Sequence, residues 1–171
     1  HLPLSVPTGA ASGPDPGSVR FTLGIWSDIP AVLPTPGGPP AEHSRPGELL
    51  WSQVFDPHTF AVRDAFQGPE DWYDPNTGIW EDDNHTLAFQ YNFLIDPATA
   101  FRQQGTPTNR VIYWLSVDAE VIDIEQIAEF GWKTSQDKFN DDAVWRDEYD
   151  GLIGPWNELI YPDRHGLQGQ S

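Results

Sequence analysis

The string Asp74-Pro75-Asn76-Thr77-Gly78 places side-chain oxygens and a turn-forming glycine at the Asp-x-Asn-x-Gly spacing with which calcium loops gather ligands. The loop position that should carry a bidentate glutamate is His85, so the string reads as a turn built by Asp, Pro, Asn and Gly. Asp137 with Asn140-Asp141-Asp142 is a second oxygen-rich cluster, and it reads as a solvated acidic loop. His1, His43, His58, His85 and His165 show no His-x-x-x-His spacing, so no metal site and no cofactor is expected. The chain has no Cys and no Gly-x-Ser-x-Gly elbow, which leaves no marked nucleophile. Two carboxylates about 5–9 Å apart could hydrolyse a glycoside. Among 26 acidic residues, however, such a pair arises by chance. The expectation is therefore that the chain is not an enzyme.

Aromatic residues offer a different chemistry. Most of the 8 Trp belong in a core, but Trp72, Tyr73 and Trp80 fall in the acidic, turn-rich stretch 67–85. There they are candidates for stacking against a glycan, as in carbohydrate-binding modules. Asn84-His85-Thr86 is an N-glycosylation sequon.

The elements that would carry these residues are strands. Apolar residues recur mostly with period two, broken by 17 Pro and 15 Gly, the pattern of short strands joined by turns. Phe21, Leu23 and Ile25 mark the first strand, which closes at Ser27-Asp28-Ile29-Pro30 and leads into a breaker-rich loop over 30–47. Strands are predicted at Glu48 to Phe55, at Thr59 to Phe66 after an Asp56-Pro57-His58 turn, and at His85 to Ile95, with one core face and one wet face. The nearly continuous apolar run from Arg110 to Val121 predicts a central strand covered on both faces. One short helix is predicted over Asp123 to Glu129, followed by short strands at 130–134, 143–146 and 156–161. The fold class expected is all-β: an antiparallel β-sandwich, immunoglobulin-like or jelly-roll-like, with long Pro/Gly-rich loops and at most one short helix.

Ahead of this body, Leu2, Leu4 and Val6 alternate like a strand. Thr8 to Ser18 then supplies three Gly, two Pro, two Ser and two Ala, a compositionally loose tether. The chain thus divides into residues 1–18, a strand with its tether, and 19–171, a single sandwich domain. Such a strand need not pair with its own chain. Full burial of its three aliphatic side chains is worth roughly 5–9 kcal/mol. Association costs roughly 4–15 kcal/mol, so added lateral contacts are expected.

Composition bounds the partners. A net charge of -17 over 171 residues opposes binding to phosphate backbones, which excludes nucleic acid. No apolar run reaches the roughly 18 residues of a membrane-spanning helix. The absence of Cys leaves the redox compartment undecided. A start at His1 in place of Met suits an exported and processed protein.

Several strings carry a resemblance: Ile25-Trp26-Ser27-Asp28-Ile29-Pro30-Ala31, Ser44-Arg45-Pro46-Gly47-Glu48-Leu49-Leu50-Trp51, Trp72-Tyr73-Asp74-Pro75, Gln90-Tyr91-Asn92-Phe93, Ile112-Tyr113-Trp114-Leu115, Gly131-Trp132-Lys133-Thr134-Ser135 and Asn140-Asp141-Asp142-Ala143-Val144-Trp145. Together they resemble an uncharacterised family of exported bacterial β-sandwich domains found in proteins with PEP-CTERM-type sorting signals or dockerins. The resemblance implies export and brings no activity or catalytic residues. Its members have a further apolar strand where this chain ends in polar Gly166 to Ser171, which implies a vacant sandwich edge. The functional expectation is an extracellular or cell-surface structural protein, its strand (Leu2, Leu4, Val6) inserted into another copy to build a pilus-like helical homopolymer. The alternative is a secreted carbohydrate-binding module acting through Trp72, Tyr73 and Trp80.

Overall fold

A computed structural model describes residues 3–5, 15–38, 40–122, 130–133, 142–149 and 152–162. They form no helix and eleven strands: β1 (Pro3–Ser5), β2 (Val19–Ile29), β3 (Arg45–Phe55), β4 (Ala61–Asp74), β5 (Ile79–Asn92), β6 (Tyr113–Val121), β7 (Gly131–Trp132), β8 (Val144–Trp145), β9 (Glu148–Tyr149), β10 (Leu152–Ile153) and β11 (Asn157–Glu158). Every pairing is antiparallel. One sheet runs β3-β2-β6 and the other β4-β5-β1-β7, with two-stranded ribbons β10-β9 and β11-β8 beside them. The sheets do not close into a barrel, and the fold is the all-β sandwich expected from the alternating pattern.

Alternation along β2 decides where the core sits. Val19, Phe21 and Leu23 are buried, and Phe21 is fully so. Its ring meets Phe60, Tyr91, Phe93 and Phe130 at centroid distances of 5.2, 4.8, 5.2 and 5.3 Å, each edge-on. Edge-to-face rings set the positive rim of one against the negative face of the next. Because Phe21 lies on β2 and Tyr91 on β5, this cluster joins the two sheets.

The opposite face of β2 is covered as well. Trp26 donates its indole N–H to Ser116 Oγ at 2.9 Å and packs edge-on against Trp156, with the Arg146 guanidinium 4.3 Å from the Trp156 ring and 5.0 Å from that of Trp26. Gly24 makes this convergence possible, since a Cβ there would lie 2.6 Å from Ser116 Oγ and 2.8 Å from Trp26 Nε1.

Several strand expectations need correction. The stretch 67–85 is not a loop: β4 and β5 run through it as a hairpin closed by residues 75–78. Register shifts at Asp64/Phe66, Gln67/Glu70 and Glu70/Trp72 break the two-residue period there, so the strands are hidden from a pattern search. The apolar run before Val121 is not a central strand. β6 lies at a sheet edge with Leu115 exposed, and β2 takes the centre. The second strand begins earlier, at Arg45, and the strand predicted to reach Ile95 ends at Asn92. Nor is that strand wet on one face, because Ala88 and Gln90 are buried. It is an inner strand, and Arg63 crosses from β4 to donate from Nε to Gln90 Oε1 at 2.8 Å. The helix predicted over 123–129 lies outside the described residues.

Candidate functional site

The leading strand sits inside the sheet. β1 pairs with β5 through Pro3↔Gln90, Leu4↔Phe89 and Ser5↔Ala88, and with β7 through Leu4↔Trp132 and Ser5↔Gly131. Pro3 is the first residue of the strand, where a missing backbone donor is tolerated. In a single chain the position between β5 and β7 is thus occupied by that chain's own strand, and the segment after residue 162, from which a vacant edge is expected, lies outside the described residues. Among the described residues β7 pairs with β1 alone. β2, which follows β1 in sequence, belongs to the other sheet, so residues 6–18 are the only covalent connection between slot and body on this side. Of the three candidate donor residues, Leu4 is placed by its backbone register, while Leu2 and Val6 lie outside the described residues.

Around this slot the β4–β5 hairpin, with its three register shifts, brings together groups that no sequence spacing joins. Glu70 and His85 are register partners, with Glu70 Oε2 3.5 Å from His85 Nε2. Lys133, the residue after β7, places Nζ against the other carboxylate oxygen, Glu70 Oε1, and 4.5 Å from the centroid of the Phe66 ring. Trp72 packs on Gly131, where any Cβ would overlap its ring. His85 is 2% exposed, and neither ring nitrogen has a hydrogen-bond partner among the described residues. Burial pushes its pKa below the ordinary histidine value, against an opposing pull from Asp71, and burial likewise lowers Lys133.

The His85 shift has a stability consequence with a definite sign. The unfolded chain takes up a proton near pH 6.5 and the folded chain only at lower pH. Stability is therefore unaffected by His85 above pH 6.5 and is lost as pH falls below it, at no more than about 1.4 kcal/mol per pH unit. Urea unfolding of wild type and His85→Gln at pH 7 and pH 5 should show a smaller loss in the variant.

The aromatic candidates do not share a platform. Trp72 points at Gly131, whereas Tyr73 and Trp80 pair across the hairpin with centroids 5.8 Å apart. Tyr161 joins them at 5.6 and 6.2 Å, and the Tyr73 hydroxyl donates to the Ile160 carbonyl at 3.1 Å. The calcium-like string is spent on closing the hairpin: Asp74 Oδ1 accepts from the Asn76 N–H at 2.9 Å, Oδ2 accepts from the Thr77 hydroxyl at 2.5 Å, and Gly78 adopts φ 71°. Among the described residues no three His, Asp or Glu side chains are grouped to hold a metal, and no helix is long and apolar enough to cross a membrane.

A family described as a domain of unknown function, DUF7901, matches residues 8–169, so that β1 precedes the matched stretch. No curated protein and no solved structure matches the chain.

Proposed function

The chain belongs to the DUF7901 family, and we propose that it is an extracellular structural protein that builds a pilus-like fibre by placing its leading strand in the slot of another copy. The observation that carries this is the position of β1: an inner strand held on both sides, joined to the remainder through residues 6–18 alone. A neighbour's strand in the same register would make the same ladder contacts, so exchange costs no pairing energy. Gly17 and Ser18 are tied to the body, their carbonyls accepting from the His58 and Ile122 N–H groups, so the nine residues 6–14 are left to span between sandwiches, up to about 30 Å when extended. The exported location follows from the sequence resemblance.

Occupancy by the chain's own strand is the competing state, and its advantage has a size. A short flexible tether gives an effective concentration in the mM range. At µM protein the home strand therefore wins by about a thousandfold, or about 4 kcal/mol. A fibre must recover that from contacts made only between copies. Leu33, on the Pro/Gly-rich loop, and Leu94, just after β5, are 78% and 87% exposed and supply apolar surface for them. Salt or divalent ions must also screen subunits of charge -17.

The chain has no Cys, which permits a clean test. Ser5→Cys and Ala88→Cys fall on register partners. Oxidising a mixture of the two single variants at assembly concentration should give covalent dimers linking position 5 of one copy to position 88 of another. The double variant, diluted, is the control that the pair can close within one chain. If the control closes and the mixture yields only unlinked monomers, the strand stays at home and the proposal fails.

A further inference from the structure

We infer that Lys133, Glu70 and the Trp72–Gly131 contact form a clasp across β1 that sets how often the strand leaves its slot. Glu70, Phe66 and Trp72 belong to β4; Lys133 and Gly131 belong to or directly follow β7; β5 and β1 lie between them. In a flat sheet β4 and β7 would stand three strand spacings apart, about 14 Å. The three register shifts of β4 lie between Asp64 and Trp72 and so bracket the residues that reach across, and irregularities of this kind bend and twist a strand.

The clasp has a charged part and a packed part. Lys133 Nζ is held between the Glu70 carboxylate and the face of the Phe66 ring, and the Trp72 ring rests on Gly131. Both charged side chains are shielded, at 18% exposure for Glu70 and 31% for Lys133, so their attraction is less screened than that of a surface pair. On its other side Glu70 lies 3.5 Å from Nε2 of buried His85. Among the described residues the ladder partner of β7 is β1, while Gly131 and Lys133 tie it to β4, so β1 is enclosed between β5 and a strand that is itself fastened across the sheet, and it leaves more readily once Lys133 and Gly131 release β4. The exchange expected of this slot rests on the function proposed above; the clasp concerns the rate at which it opens.

Amide hydrogen exchange in the dilute full-length protein reads that opening directly. Glu70→Gln and Lys133→Met should each speed exchange in peptides covering residues 1–7 at least tenfold, leave the β2–β6 pairs around Leu23 and Val117 unchanged, and be reversed in the charge-exchanged double variant Glu70→Lys/Lys133→Glu. Unchanged protection of residues 1–7, or equal loosening of β2 and β6, overturns the clasp whatever the protein assembles into. The same substitutions placed in the Ser5→Cys and Ala88→Cys mixture should raise the rate of interchain linking in step. Faster hydrogen exchange with no interchain linking would leave the clasp standing and remove the fibre.

Discussion

Replacing Phe21 with alanine should cost about 3–5 kcal/mol of folding stability. Its side chain is fully buried and touches four other rings, and those rings belong to different parts of the fold: Tyr91 to β5, Phe60 and Phe93 to the flanks of β4 and β5, Phe130 to the residue before β7. None of these can collapse into the vacated volume without moving a strand, which places the loss toward the upper end of the range. Domains of this kind are stable by only about 5–15 kcal/mol in total, so a large share disappears in one substitution. Urea titration followed by Trp fluorescence should show a lower midpoint at unchanged slope. Phe21→Leu, which keeps most of the volume, should lose less than about 1.5 kcal/mol. Equal midpoints for Phe21→Ala and wild type would mean that the aromatic cluster does not join the sheets.

Deleting residues 1–7 should remove more than one strand. Among the described residues β7 pairs only with β1, so the truncated protein loses the pairing of both and bares the backbone of Ala88, Phe89 and Gln90. A handful of ladder hydrogen bonds at about 0.5–1.5 kcal/mol each puts the expected loss at about 2–4 kcal/mol. Hydrogen exchange should rise at residues 88–90 and 131–132, and fibres should be absent from negative-stain images. A synthetic peptide of residues 1–7 should restore stability saturably, with a midpoint concentration that measures the slot's affinity for an untethered strand. A truncated protein with wild-type stability and no response to peptide would show that β1 is an ornament of the sheet and not a component.

Legibility in the sequence followed how regular each segment is. β2 was readable because nothing interrupts its alternation from Val19 to Leu23, and the Asp56-Pro57-His58 turn because Pro and an αL-tolerant residue sit together, with His58 indeed at φ 63°. The β4–β5 arm was unreadable because each register shift moves the next residue to the other face, and its Asp and Glu content imitates a solvated loop. β6 imitated a central strand for a different reason. Val117, Ala119 and Val121 pack against the core, while Trp114 is apolar on the other face yet hydrogen-bonded to Asp28 at 2.8 Å, so both faces look buried although the edge is open. At the slot, the alternation of Leu2, Leu4 and Val6 announced a strand but not its neighbours. The clasp was beyond sequence reasoning, since Glu70, His85 and Lys133 meet only through the bend that the pattern concealed.

In the head-to-tail array proposed above, the dependence of β7 on β1 would set a direction. Every interior sandwich would be completed by its predecessor, and the two tips would be unlike. One would present a completed body with its own leading strand unplaced, and the other a body whose slot is empty. The second tip would expose unpaired amides and carbonyls of β5 and leave β7 without its ladder partner, with only Gly131 and Lys133 against β4. Growth should therefore proceed fastest by capture at that tip, and polarity along the filament would come from a two-residue strand that has lost its ladder.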